Sequence, residues 1–203
     1  MEYRHAVTAR IWEPIEPIAR GERYEDPLQA ALQAAQLGTV DGGGSQLTKL
    51  GEVQFAELEL HLANLDAAVD LTTRVLEEAG APQGSELRFN EPGRSPVGFG
   101  TQQGLAIYLD GVSLPQEVYA NLDLAAVVGR IEDALGLGGK SLRGSWGGPE
   151  ETSLYFYGAD AEHMFRRLEP LLLTLPICQN ARVVLRHGNP ELGPQTVRLP
   201  RKG

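Results

Sequence analysis

Residues 141–158 read SLRGSWGGPEETSLYFYG, and this stretch decides the fold. Two short runs of strand-forming residues flank a Gly-Gly-Pro-Glu-Glu segment, which is typical of a β-hairpin with a tight turn. Residues 161–175 follow with apolar side chains at helical spacing and predict an amphipathic helix. Pro170 lies within that helix, so we expect a kink or a break near Arg166. The apolar run at residues 182–187 predicts a closing strand.

The same order of elements occurs earlier in the chain. Apolar periodicity there predicts strands and helices at residues 5–12, 27–37, 53–62, 65–79 and 85–89. The glycine-rich residues 41–46 predict a loop or a bulged strand end before the strand at 53–62. In the second half, a strand at 105–109 and a helix capped by Asp123 precede the hairpin. The first strand and the helix cap are 14 residues apart in both halves, Trp12 to Asp26 and Leu109 to Asp123.

Each half therefore has the order strand, helix, strand, strand, helix, strand. This order predicts an α+β protein of two tandem ferredoxin-like βαββαβ units, with antiparallel sheets and helices on one face. The predicted bounds are residues 1–90 and 104–188 for the units, 91–103 for a linker and 189–203 for a loose tail. An insertion is expected near residues 43–52. The units either pair sheet edges or pack face to face; the alternative is one mixed α+β fold with a coincidental repeat.

Charge is distributed unevenly along the chain. The net charge is −9, and residues 1–100 hold 16 acidic and 8 basic residues against 11 and 10 in the remainder. An acidic first half disfavours nucleic acid and suits a basic protein partner, although it also serves solubility. The N-terminus lacks an apolar signal core, and no apolar run approaches a membrane span. We therefore expect a cytoplasmic protein that binds neither membrane nor nucleic acid.

The histidines and the one cysteine do not form a recognisable catalytic or metal-binding pattern. No histidine pair has zinc-ligand spacing, and Cys178 has no companion motif, so no metal and no cofactor are expected. We expect Cys178 to be a buried structural thiol. The segment DGGGSQ, with Asp41, Gly43 and Ser45, lacks the Lys-Ser/Thr of a phosphate loop and precedes a strand. Its glycines instead predict a flexible or bulged hairpin end, and the alternative use for them is to let a partner's backbone approach closely.

The hairpin at residues 141–158 supplies the other candidate contacts. Glu150 and Glu151 are adjacent, so their side chains point to opposite faces and do not converge on a substrate. Tyr155 and Tyr157 are predicted on the sheet face opposite the helices, near Trp146. Aromatic rings beside acidic residues fit protein recognition better than nucleic-acid binding, which needs basic neighbours. The alternative is that this face is buried against the other half.

Several segments resemble a known group of proteins. They are GTVDGGGSQL (38–47), LDAAVDLTTRVLEEAGAPQGSELRF (65–89), GLAIYLDGVSLPQEVYANLDL (104–124) and GSWGGPEETSLYFYGADAEHMFRRLEPLLLTLPICQNARVV (144–184). These segments, across most of residues 38–186, resemble small bacterial proteins of unassigned function that look like immunity or accessory proteins of polymorphic-toxin loci. The resemblance transfers no catalytic residue. It implies a non-catalytic immunity-type inhibitor that binds and neutralises a cognate toxin.

Two other functions are compatible with the sequence. One is an enzyme or small-ligand-binding protein that uses a cleft between the units, with Asp41, Ser45, Arg143, Glu150 and Glu151 as candidate groups. The other is a self-associating module whose sheet edges pair between chains, so the protein is expected to be a monomer or a homodimer.

Overall fold

The structure, a computed structural model, describes residues 5–188 and 193–200. The chain divides between Gln102 and Gln103 into two compact units. Within the described residues, each unit has one five-stranded sheet, and neighbouring strands in both sheets are antiparallel. No helix in the described part of the chain is long and apolar enough to cross a membrane.

The first unit contains five strands and three helices. In chain order they are His5–Ile11 (β1), Pro17–Arg20 (α1), Asp26–Ala35 (α2), Gly38–Leu47 (β2), Val53–Leu62 (β3), Leu65–Glu78 (α3), Ser85–Phe89 (β4) and Val97–Phe99 (β5). A π-helical turn, Gly21–Glu25, joins α1 to α2. The strand order across the sheet is β2-β3-β1-β4-β5.

The second unit repeats this arrangement. Its elements are Gln103–Asp110 (β6), Gln116–Ala120 (α4), Leu124–Leu135 (α5), Leu142–Gly147 (β7), Glu151–Gly158 (β8), Ala161–Leu172 (α6), Arg182–Arg186 (β9) and Gln195–Arg198 (β10). A short 3₁₀ turn, Pro176–Cys178, follows α6. The strand order is β10-β9-β6-β8-β7.

The predicted fold class is confirmed, because both sheets place the first four strands of the unit in the order two, three, one, four. One face of each sheet packs against the two long helices of its unit. In the first unit, alternate residues of β3 enter this core beside α2 and α3, namely Ala56, Leu58, Leu60 and Leu62. In the second, Leu154 and Phe156 of β8 do the same beside α5 and α6. We call the opposite sheet face the outer face.

Each unit also has a fifth strand that the sequence analysis missed. β5 lies in the segment predicted as a linker, and β10 lies in the segment predicted as a loose tail. After the fifth strand, the chain bonds back to the alanine that precedes the fourth strand: Thr101 N–H donates to Ala81 O at 3.0 Å, and Leu199 N–H donates to Ala181 O at 2.8 Å. Both units are therefore βαββαββ. Residues 189–192 and 201–203 of the predicted tail lie outside the described residues.

Other differences in the first unit lie between β1 and β3. The chain is helical from Pro17, so Asp26 lies within a longer helical run and caps nothing. The predicted insertion near residues 43–52 is the second half of β2 and a turn, because the glycine-rich segment pairs with the apolar strand β3 along its length. The predicted bulge is present, with Asp41 as the extra residue between Val40 and Gly42.

The second unit follows the sequence more closely. The Asp123 side chain caps α5 by accepting from the Ala126 N–H at 2.9 Å, as predicted. The helix α6 runs through Pro170 without the predicted break near Arg166 and ends at Leu172. A bulge between Leu142 and Gly144 turns Leu142 toward the helices.

Candidate functional site

Asp41 lies at the bulge of β2 and is exposed. Its carboxylate accepts a hydrogen bond from Thr39 Oγ1 at 2.9 Å and lies 2.6 Å from His61 Nδ1 on β3. The hydrogen bond from Thr39, followed by that from His61, lowers the pKa of Asp41. The bulge thus displays an ionised carboxylate on the outer face of the first unit.

Gly43 and Ser45 contact the chain's own Arg20. A Cβ at Gly43 would lie 2.8 Å from the Glu57 carbonyl oxygen and 3.0 Å from Arg20 Nε, so glycine is needed for this close approach. Arg20 is buried, donates to the Gly44 carbonyl at 3.0 Å and to Ser45 Oγ at 3.2 Å, and pairs with Glu25 at 2.6 Å. The space that the sequence analysis assigned to a partner's backbone is therefore occupied by this guanidinium.

A second side chain from the helical segment also bonds the edge strand β2. Gln29 of α2 accepts a hydrogen bond from the Val40 N–H at 2.6 Å. An N–H and a carbonyl of the edge strand are thus bonded by Gln29 and Arg20. These bonds restrain β2 and occupy two of the backbone groups through which another strand could pair with it.

The turn between β2 and β3 presents apolar side chains to solvent. Leu47 is 49% exposed and Leu50 is 65% exposed. Thr48 orders this turn, since its N–H donates to Glu52 O at 2.7 Å and its hydroxyl accepts from the N–H groups of Leu50 and Glu52. Gly51 takes the left-handed conformation, φ +85°, that the turn requires. We call residues 47–52 the β2–β3 tip.

In the second unit, the adjacent residues Glu150 and Glu151 of the hairpin make different contacts, in agreement with the prediction that they do not converge. Glu151 forms a bidentate ion pair with Arg182 of β9, at 2.9 Å from Nε and 2.7 Å from Nη2. Glu150 is exposed, and its carbonyl accepts from the Gly111 N–H at 2.7 Å. The Trp146 ring packs over Gly148, where a Cβ would lie 2.0 Å from the ring. These contacts stabilise the hairpin.

Tyr155 and Tyr157 lie on the outer face, as predicted, and are only 2% and 3% exposed. Arginines stack on the tyrosine rings of this face: the guanidinium carbon of Arg182 lies 3.4 Å from the Tyr108 centroid, Arg143 4.8 Å from Tyr157, and Arg186 5.4 Å from Tyr155. We call these six residues the tyrosine–arginine layer. A partner would contact the two predicted tyrosines only after these side chains moved.

The sequence analysis placed acidic residues beside these rings and did not identify Arg182 and Arg186 as their neighbours. Arg182 and Arg186 belong to β9, about 30 residues further along the chain, and the pairing of β6 with both β8 and β9 brings them onto the tyrosines. The available signal was that Arg182 and Arg186 are four residues apart, which places both side chains on the same face of a strand. It becomes informative only once the strand order is known.

The second unit also has an apolar groove of about 450 Å³ that the sequence analysis did not identify. It lies between α4, α5 and the 3₁₀ turn. Its lining is mostly aliphatic, with polar side chains among it: Glu117, Val118, Asn121, Leu122, Asp123, Ala126, Val127, Arg130, Leu175, Pro176 and Ile177.

Cys178 and Asp110 are both held by contacts within the fold. Cys178 is buried, and burial raises the pKa of its thiol to about 12. Partial burial raises the pKa of Asp110, but hydrogen bonds from the Ser113 hydroxyl, the N–H groups of Val112 and Ser113, and Asn180 outweigh it and lower the pKa to about 2. Among residues 5–188 and 193–200, no three His, Cys, Asp or Glu side chains are grouped to hold a metal ion.

Comparison with known proteins gives no family. No family model and no curated protein matches the chain. Among solved structures, an unknown protein from Galdieria sulphuraria is 13% identical, with 90% of this chain and 96% of that chain covered and a TM-score of 0.27. The first two RRM domains of the yeast poly(U) binding protein are 9% identical, with 90% and 98% covered and a TM-score of 0.23. Both TM-scores are too low to support an argument.

Proposed function

We propose that this protein is a non-catalytic protein-binding module, an immunity-type inhibitor that binds a bacterial toxin, and that the β2–β3 tip is its main contact. The observation that carries this proposal is the pair of exposed leucines, Leu47 and Leu50, on an ordered turn. Covering exposed apolar side chains with a partner lowers the free energy of the complex, so such side chains favour binding.

The ordered tip lowers the entropic cost of binding. Thr48 restrains the turn, and Arg20 and Gln29 restrain β2 behind it. A partner would therefore meet Leu47 and Leu50 in a fixed arrangement, which favours affinity over an unrestrained loop.

Charge supports a basic partner. The first unit carries twice as many acidic as basic residues, and Asp41 and Glu59 are exposed on the hairpin that ends in the tip. Long-range attraction of this kind speeds association and weakens with salt. A cytoplasmic location belongs to the same proposal, and cell fractionation with an antibody against the chain tests it.

Co-expression with the product of each flanking gene tests the proposed function. We expect one of them to form a stoichiometric complex in size-exclusion chromatography with light scattering. L47S combined with L50S should weaken this complex by about 30-fold or more, since two leucines lose their burial. The control is L173S, which replaces a leucine that is 38% exposed in the second unit.

Two results would overturn this assignment. One is that no flanking product binds. The other is a complex that the tip variant and the control weaken equally, while thermal unfolding shows both variants folded.

A small-ligand-binding protein is the second candidate function, and the groove of the second unit favours it. Its volume of about 450 Å³ lies within the range of small-molecule sites. A thermal-shift screen of nucleotides, sugars, amino acids and apolar acids tests it. A hit should be lost in A126W, which fills the groove, and a screen without hits counts against this function.

A further inference from the structure

The apolar groove of the second unit is lined by charged side chains that the fold does not pair. Arg130 of α5 and Glu117 of α4 are exposed, and neither side chain has an ion-pair or hydrogen-bond partner among residues 5–188 and 193–200. Asp123 is the third charged residue of the lining, and its carboxylate caps α5. The groove therefore combines a guanidinium and two carboxylates with an aliphatic wall.

The helix α5 separates the opposite charges. Asp123 lies at its N-terminus, Ala126 and Val127 follow about one turn later, and Arg130 follows after another turn. Seven residues of α-helix rise by about 10 Å. Along this wall, a carboxylate and a guanidinium are thus about 10 Å apart, with two aliphatic residues between them.

The groove is a feature of the second unit and is not required by the shared fold. In the first unit, the connection between the first strand and the long helix buries Ile15 and Tyr24, which are 1% and 0% exposed. In the second unit, Val118, Tyr119 and Leu122 of the corresponding connection are only partly buried. A ligand in the groove would cover apolar surface that this connection leaves accessible.

We propose that the groove binds a short apolar peptide with free termini, about three residues long. Its carboxylate lies on Arg130, and its ammonium group lies on Asp123 and Glu117. An extended chain spans at most about 3.3–3.6 Å per residue, so three residues match the 10 Å between the charges. This inference rests on the second candidate function, ligand binding in the groove, and names the class of ligand.

Charge complementarity argues for this occupant. A ligand with only a carboxylate would pair with Arg130 and leave Glu117 and Asp123 without a counter-charge. A ligand with only an ammonium group would leave Arg130 unpaired. A zwitterion with an apolar middle complements the lining at both ends and between them.

Isothermal titration calorimetry with the tripeptide Ala-Leu-Val tests the proposal. We expect one peptide to bind per chain. Its N-acetylated form and its C-terminal amide should each bind about fivefold more weakly, because each form loses one terminal charge and the ion pair that it makes. A126W, which fills the groove, should abolish binding.

Variants assign each terminus to its side chain. R130Q should weaken the free peptide about fivefold and leave the affinity for the amide unchanged. D123N combined with E117Q should do the same toward the acetylated form, and asparagine keeps α5 capped. R74Q, which removes an exposed arginine from α3 of the first unit, is the control and should change nothing.

Three results would overturn the proposal. One is the absence of binding at peptide concentrations up to about 5 mM. The others are equal affinities of the free and blocked peptides, and binding that A126W leaves intact. An apolar acid that raises the melting temperature of the protein, but not of A126W, would still support ligand binding in the groove, so failure of the peptide and failure of the candidate function are distinguishable.

Discussion

The two units share one βαββαββ fold and differ in the contacts made at their edge strands β2 and β7. Strand registers align them residue by residue, since Ala9 pairs with Leu58 in the first sheet and Ile107 pairs with Leu154 in the second. The second strand of the first unit is bonded at Val40 by Gln29 and at Gly44 by Arg20, whereas β7 is bonded at its start, Leu142, by Glu132 and is exposed at Ser145 and Gly147. The longer helical segment before β2 accounts for the difference, because it carries both side chains.

The outer faces differ as well. By the same registers, Glu59 and His61 of the first unit occupy the positions of Tyr155 and Tyr157 in the second. The first pair is polar and at least partly exposed, while both tyrosines are buried in the tyrosine–arginine layer. The core positions of the paired strands are thus apolar in both units, and the units differ in the edges and outer faces that they expose.

The largest expected effect tests whether the two units have equivalent core positions. Leu58 and Leu154 occupy equivalent core positions and are 0% and 2% exposed. L58A and L154A should each lower the free energy of unfolding of their own unit by about 2–5 kcal/mol, the usual cost of a leucine-sized cavity. Chemical denaturation monitored by amide NMR signals of each unit measures this. A cost below about 1 kcal/mol for either variant would contradict the alignment.

A smaller effect tests the cover on β2. R20M removes a buried guanidinium and leaves Glu25, the Gly44 carbonyl and Ser45 without their donor. We expect the first unit to lose about 3 kcal/mol, the cost of breaking a largely buried pair. R74M, at an exposed position of α3, should change stability by less than about 0.5 kcal/mol. Equal effects of the two variants in denaturant melts would show that Arg20 does not stabilise the edge.

The smallest effect concerns a position where the aligned cores differ. Thr72 of α3 aligns with Leu168 of α6, and its buried hydroxyl has no hydrogen-bond partner in the part of the chain that the structure describes. T72V should raise the free energy of unfolding by about 1 kcal/mol, because it removes an unsatisfied polar group. T73V is the control, since its hydroxyl already bonds the Val69 carbonyl at 3.1 Å. A loss of stability in T72V exceeding that in T73V would contradict this reasoning.

Sequence reasoning recovered the repeat because local patterns encode it. The stripe of α6 and the cap at Asp123 depend on neighbouring residues and were predictable. β2 was not recognised as a full strand, because its glycines have low strand propensity and only pairing with β3 compensates for them.

The candidate site was harder to predict, because its contacts join distant parts of the chain. Arg20 reaches Gly43 and Ser45 across more than 20 residues, and Arg182 reaches Tyr108 across more than 70. Residue spacing alone does not reveal such pairs. The exposed Leu47 and Leu50 were missed for another reason, since an apolar residue near a strand end is ordinarily assigned to the core.

Amide hydrogen exchange at single-residue resolution tests the central claim that a helix side chain bonds the β2 edge at Val40, whereas the β7 edge is open at Ser145. The Val40 N–H donates to Gln29. The Ser145 N–H points away from β8, because Gly148 bonds Glu151 and bonded pairs alternate along an antiparallel ladder. After correction for intrinsic rates, Val40 should exchange at least about tenfold more slowly than Ser145 in dilute protein. Equal protection of the two amides would contradict the account.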